Sequence, residues 1–253
     1  MTGRGDELRA QLVLEDRVIT GRIRLDGDTI AAVDLEEDLA ADADAGLGYF
    51  APGFVDVHVH GWGGHDAMGS SADLDGLGRA LLRHGVTAFL PTAVTDSFPA
   101  LHAFADRVRA WLPLAPVDGA QPLGFNLEGP FISAARKGAH NPAFLAQPAD
   151  VPWSQIEPLV EGLRLITIAP EIPGGLELIR RLHELAIRVS IGHSAADLAT
   201  AIAGYDAGAS STTHLFNAMT GLEHRSPGVA AAALTRDDAY VELIADGQHV
   251  DPS

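Results

Sequence analysis

His58 and His60 stand two residues apart in the run VDVHVHG. In an extended strand that spacing puts both imidazoles on one face. Two neutral ring nitrogens on one face can grip a divalent ion. Gly61, Gly63 and Gly64 follow, and would clear space beside it. Three further residues of suitable chemistry occur singly: Glu128 in FNLEGP, His193 in SIGHS and His214 in TTHLFNAM. Each alone has an ordinary explanation, as a loop carboxylate or a satisfied core histidine. Together, one carboxylate and four imidazoles make a nitrogen-and-oxygen set suited to zinc or iron. The chain has no cysteine, so any metal must be held by His, Asp or Glu.

The elements that must position these residues show in the rhythm of the chain. Short apolar runs near 53–58, 86–91, 122–127, 164–169, 187–191, 209–214 and 240–245 alternate with helical patterns. The helical patterns lie near 72–84, 97–112, 154–161, 175–186, 195–204 and 228–235. That alternation is the mark of parallel βα units, and the expected fold is an α/β (β/α)8 TIM-like barrel. His58 and His60, Glu128, His193, His214 and His249 all follow apolar runs. They therefore fall at the carboxyl ends of strands, where barrel enzymes build their active sites. The runs number seven and a closed barrel needs eight, so the barrel is expected to stop before its eighth strand. Its two end strands would then keep bare edges. Ahead of the barrel, residues 11–34 alternate apolar and polar, with breaks expected at Gly21 and at Asp26-Gly27-Asp28, a hairpin signal. Residues 36–48 are acidic and Ala- and Gly-rich, and read as a surface connection.

Charge and hydropathy narrow the partners. Lys and Arg number 17 against 34 Asp and Glu, a net charge of −17. Such a surface excludes nucleic acid, whose phosphates require basic contacts. No run approaches the roughly 20 apolar residues of a membrane span, and residues 1–16 carry no apolar leader. A cytoplasmic protein without membrane attachment is expected. Two basic spots stand out against this background: Arg136, Lys137 and His140 in ISAARKGAHNP, and His224 with Arg225 ahead of Pro227-Gly228. Arg136 and Lys137 read as solvated, and His65, His84, His102 and His183 as surface or helix residues.

With these motifs placed, the chain resembles the N-acetylglucosamine-6-phosphate deacetylase family of the amidohydrolase superfamily. The matching words are APGFVDVHVHGWGG, GFNLEGPFIS, KGAHNP, TIAPE, IGHS, THLFNAM, HRSPG and DGQHV, in the family's order from Ala51 to Val250. The resemblance implies that Glu128, His193 and His214 hold the main metal, and that His58 and His60 add a second, adjacent position. The cofactor would be one or two divalent ions, zinc or iron. It further implies that His249 polarises the acetyl carbonyl, and that His140, Asn217, Ala218, Arg225 and His249 contact the substrate, N-acetylglucosamine 6-phosphate. A homodimer is expected, with Arg225 able to reach a neighbour's site. Residues 1–48 would be part of a small β domain, and 49–253 a metal-dependent hydrolase barrel, incomplete at its C-terminus. The family's general base is an aspartate at the end of the eighth strand, expected beyond the end of this chain, and neither Asp246 nor Asp251 fits that position. The metal ligands alone would permit another amidohydrolase, acting on a cyclic amide or as a deaminase, though Arg225 with His140 and Asn217 suits an anionic sugar and weighs against it. An inactive fragment that binds metal or sugar phosphate is the remaining alternative.

Overall fold

The structure, a computed structural model, describes residues 7–36 and 46–252. Most of the expected surface connection, residues 37–45, lies outside the described residues, as do the first six residues of the segment 1–16. The chain divides into two units, Met1–Phe54 and Val55–Ser253.

The first unit contains a four-stranded sheet, β1 (Glu7–Val13), β2 (Val18–Asp26), β3 (Thr29–Leu35) and β4 (Tyr49–Phe50), in the order β3-β2-β1-β4. Asp26 pairs with Thr29, so Gly27 and Asp28 form the two-residue turn that the sequence signals. Gly21 is not a break. It lies inside β2, paired with Ala10 on one side and Leu35 on the other. A Cβ there would come within 2.6 Å of the Leu12 side chain and 2.8 Å of the Asp34 carbonyl. Its glycine serves close packing inside a continuous strand.

The second unit is built on one larger sheet. Its path runs β5 (Phe54–Val59), β8 (Val86–Val94), β10 (Phe125–Glu128), β11 (Leu163–Ile168), β12 (Arg188–Ile191), β13 (Ser211–Thr212) and β14 (Tyr240–Val241). A two-residue strand, β9 (Gln121–Pro122), pairs off this path with β8, and β6 (Gly61–Trp62) forms a small ladder with β7 (His65–Asp66). Pairing from β8 through β14 is parallel. The seven apolar runs of the sequence are the seven strands of the path.

Helices fill the connections: α1 (Ser71–Leu82), α2 (Phe98–Trp111), α3 (Trp153–Ile156), α4 (Gly175–Glu184), α5 (Leu198–Asp206) and α6 (Gly228–Leu234). Local chemistry sets their starts. Ser70 and Asp73 form a capping box on α1, Ser97 caps α2 and Asp197 caps α5. Their inward faces follow helical spacing, as with Leu74, Leu77 and Leu81 on α1, and Leu101, Phe104 and Val108 on α2. These pack on Phe89, Phe125, Leu127 and Ile166 of the strands in one continuous core.

The sheet also carries buried polar ties. Thr92 Oγ1 accepts from the Val59 N–H at 3.0 Å, and the Asn126 amide donates to the Val57 carbonyl at 3.1 Å. Thr213 Oγ1 donates to Ser190 Oγ at 2.7 Å and meets Thr167 Oγ1 at 2.8 Å. Buried hydroxyls bonded in this way pin strand register where apolar contacts would tolerate sliding.

Candidate metal centre

Register brings the chemistry to one edge of the sheet. Glu128, the last residue of β10, lies opposite Val94 and Thr167 of its neighbours. His58 and His60 come from the end of β5, while His193 and His214 each follow their strand by two residues. His193 and His214 adopt left-handed backbone, φ 46° and 31°. That conformation is costly for a residue with a side chain and is held by its surroundings. It turns both rings back over the strand ends.

Glu128 is the hub. Its side chain is 5% exposed. Oε1 lies 3.0 Å from His193 Nε2, 2.9 Å from His214 Nε2 and 3.4 Å from His58 Nε2. Oε2 lies 3.0 Å from His60 Nε2 and 3.1 Å from His140 Nε2. Burial by itself would raise the Glu128 carboxyl, but hydrogen bonds with His140, His193, His214 and His58 outweigh it and hold the group well below the usual carboxylate range. Burial likewise works against charge on His58, and Glu128 and Glu242 together overcome it, pushing His58 up to about 10.

The backbone after Glu128 is equally constrained. Gly129 has φ 91°, and a Cβ there would sit 2.1 Å from Thr95 Oγ1. Thr95 donates its hydroxyl to the Glu128 carbonyl at 3.1 Å and its N–H to His140 Nδ1 at 3.2 Å.

Those bonds decide which nitrogens can take a metal. His58 Nδ1–H donates to Glu242 at 2.9 Å, His60 Nδ1–H to the Thr92 carbonyl at 3.1 Å, and His193 Nδ1–H to the Arg136 carbonyl at 2.9 Å. In its neutral form each ring then carries its lone pair on Nε2 and can take a metal, whereas in the protonated form the same nitrogen donates toward Glu128. His140 is the reverse. Its Nδ1 accepts a backbone N–H, so its Nε2 carries the proton and donates to Glu128.

The donor set fits a divalent ion. His58 Nε2 and His60 Nε2 face each other at 3.2 Å, and His193 Nε2 and His214 Nε2 at 3.0 Å. Facing lone pairs repel unless a cation lies between them. Ligand atoms around a four-coordinate zinc at 2.0–2.1 Å would stand roughly 3.3–3.4 Å apart, close to this spacing. Two groups qualify on distance alone: His58, His60 and Glu128, and Glu128, His140 and His193. The proton on His140 Nε2 sets it apart from the true lone-pair donors in the second.

The other expected site residues are placed differently. His140, expected in a local positive spot with Arg136 and Lys137 and in contact with the sugar phosphate, is buried against Glu128 with both nitrogens engaged. Arg136 contributes its backbone carbonyl rather than its exposed side chain. Asn217 and Ala218 follow His214 in the same turn, and the Asn217 amide donates to the Leu215 carbonyl at 3.3 Å. Arg225 is exposed. His249 is held by Asp246, at 2.7 Å between Nδ1 and Oδ2. Backbone N–H groups of Gln248 and His249 and the His249 ring hold the Asp246 carboxyl down to about 2. Among the described residues, no hydrogen bond or ion pair joins the side chains of His249, Asn217 or Arg225 to the cluster. Beside His60 opens a cavity of about 450 Å3, lined by Gly61, His65, Asp66, Met68, Thr92 and Val94, within the size range of small-molecule sites.

Sequence reasoning missed Glu242, Thr95 and the two carbonyls. Only Glu242 left a signal: a lone acid in the apolar run YVELIA.

A parallel α/β sheet carries at its carboxyl edge a histidine–carboxylate cluster that could hold a metal ion. A profile of the Amidohydrolase family matches residues 49–253, and the chain belongs to that family, whose members are metal-dependent. It is 39% identical over 234 residues to N-acetylgalactosamine-6-phosphate deacetylase of Escherichia coli O157:H7, covering 92% of this chain and 61% of that protein. It is 37% identical over 257 residues to N-acetylglucosamine-6-phosphate deacetylase of Bacillus subtilis, covering 95% and 63%. Among solved structures, a mutant N-acetyl-D-glucosamine-6-phosphate deacetylase of Mycobacterium smegmatis in complex with N-acetyl-D-glucosamine-6-phosphate superposes with a TM-score of 0.84 at 30% identity. That match covers 98% of this chain and 65% of the other. The chain thus spans about three fifths of the length of the curated relatives it matches. No helix is long and apolar enough to cross a membrane among the described residues.

Proposed function

We propose that the chain carries the metal centre of a deacetylase acting on N-acetylglucosamine 6-phosphate, cleaving its amide bond to give acetate and glucosamine 6-phosphate. The observation that carries this reading is the convergence of five imidazoles on the two oxygens of one buried carboxylate, in a chain whose relatives bear that activity in their names.

Glu128, His193 and His214 would hold the main ion, zinc or iron, and His58 and His60 a second. A divalent ion so held supplies Lewis acidity and brings the pKa of a water toward ~7. The chain's own residues then have distinct tasks. His140, protonated on Nε2, steadies the charge of Glu128 and is reassigned here from the phosphate to that role. His249, oriented by Asp246, polarises the acetyl carbonyl. Asn217, Ala218 and Arg225 contact the sugar phosphate, where a guanidinium matches phosphate geometry. We assign the general base to the part of the relatives' length that this chain does not span. The same reading makes the sheet the larger part of an eight-stranded barrel and residues 1–48 part of a small β domain, in a cytoplasmic homodimer.

A second sugar has a specific observation behind it, since the relative from Escherichia coli O157:H7 is named for the galactosamine epimer. Acetate release should be measured from both 6-phosphates, with zinc or iron added, on this chain and on one extended to the relatives' length. The extended chain is expected to release acetate, to prefer the glucosamine epimer, and to stop when a chelator is added. Release that persists in the metal-stripped protein would overturn the reading.

A further inference from the structure

Glu242 lies one residue past β14, the strand at the opposite end of the sheet path from β5. Its backbone is fixed, with its N–H donating to the Thr212 carbonyl at 2.9 Å and its carbonyl accepting from Leu215 at 2.8 Å. Its side chain is 17% exposed and accepts from His58 Nδ1–H at 2.9 Å across 184 residues of chain. The other carboxylate oxygen, Oε1, is buried without a hydrogen-bond partner. A buried carboxylate satisfied on one side only is costly, which marks the position as serving something other than stability.

The other two oriented histidines differ. His60 and His193 give their Nδ1 protons to the neutral carbonyls of Thr92 and Arg136. Of these three rings, only His58 gives its Nδ1 proton to a carboxylate. Such a partner fixes the tautomer, aims the ring and makes Nε2 a stronger donor to a metal. His58 is backed further by Asp56, whose Oδ1 accepts the His58 N–H at 3.0 Å.

We infer that Glu242 is the positioning residue of the second metal position: it orients His58 so that the His58–His60 pair binds an ion separately from the Glu128–His193–His214 position. This rests on the metal-centre reading above and deepens it. The rival explanation is that Glu242 merely clamps the two ends of the sheet together.

The test is zinc and cobalt binding to the metal-stripped full chain, by calorimetry and by elemental analysis after dialysis. Glu242→Ala and Glu242→Gln are compared with His58→Ala, and thermal melting of the stripped proteins is recorded alongside. Two ions are expected for the unsubstituted chain. Glu242→Ala should weaken only the second by about 10–100-fold, the usual cost of losing a ligand's outer partner. Glu242→Gln, whose amide oxygen still accepts from Nδ1–H, should recover part of that loss. Adding Glu242→Ala to His58→Ala should cost nothing more. Equal weakening of both positions together with a lowered melting temperature would make Glu242 a clamp and overturn the inference, as would two ions bound with unchanged affinity in Glu242→Ala. Failure of the unsubstituted chain to take up any ion would be a different result, sinking the metal-centre reading itself.

Discussion

His58 shows how a single residue's surroundings set its behaviour with pH. Glu128 and Glu242 press on it from the ends of β10 and β14, His60 is its neighbour and Asp56 takes its N–H. Without metal, the raised His58 contributes stability that is fully present below its ordinary value of 6.5. That contribution is lost as pH rises through the folded value of about 10. Binding an ion requires the neutral ring, so metal and proton compete for it. The metal-stripped chain should therefore melt at progressively lower temperature from pH 7 to pH 10, whereas zinc should raise the melting temperature more at pH 9 than at pH 7. Melting curves across that range, with His58→Ala as control, check both signs. A slope unchanged in His58→Ala would assign the effect to another group.

At the scale of elements, the turn leaving β10 is the most constrained piece of the site. Gly129→Ala would force a side chain into φ 91° and drive its Cβ against Thr95, whose two bonds steady the Glu128 carbonyl and the His140 ring. A loss of roughly 1–3 kcal/mol is expected from the backbone conformation, read from urea denaturation. Zinc affinity should fall with it, because Glu128 is displaced. The strands and helices themselves were legible because each follows a local rule. Ser70 with Asp73 begins α1, Asp197 begins α5, and apolar runs without alternation mark strands buried on both faces. Gly21 was read as a break because glycine commonly is one, and only the neighbouring Leu12 and Asp34 show it to be a packing requirement.

The sheet of the second unit ends in β5 and β14. Phe54 and Tyr240, at 71% and 74% exposure, sit on those end strands, with Val55, Val241 and Leu243 also exposed. Apolar side chains on end strands promote pairing with other chains. Concentration-dependent association is expected by sedimentation velocity, and Tyr240→Lys with Leu243→Lys should shift it toward monomer. An unchanged distribution in that double variant would place the contact elsewhere.

The amino-acid sequence by itself determined the alternation of strands and helices, and the placing of His58, His60, Glu128, His193 and His214 at strand ends. Both depend on periods of two and 3.6 residues and on chemistry within a few positions of each residue. The tertiary structure alone decided how those side chains are oriented. His58 meets Glu242 because the sheet curls its end strands toward each other, and His193 is aimed by a carbonyl that any residue at position 136 would supply. His140, which sits among basic neighbours in the sequence, faces Glu128 because its loop folds back over β10 and Thr95 takes its other nitrogen. Backbone carbonyls carry no signature in a sequence, and a contact across 184 residues depends on curvature that no local pattern encodes.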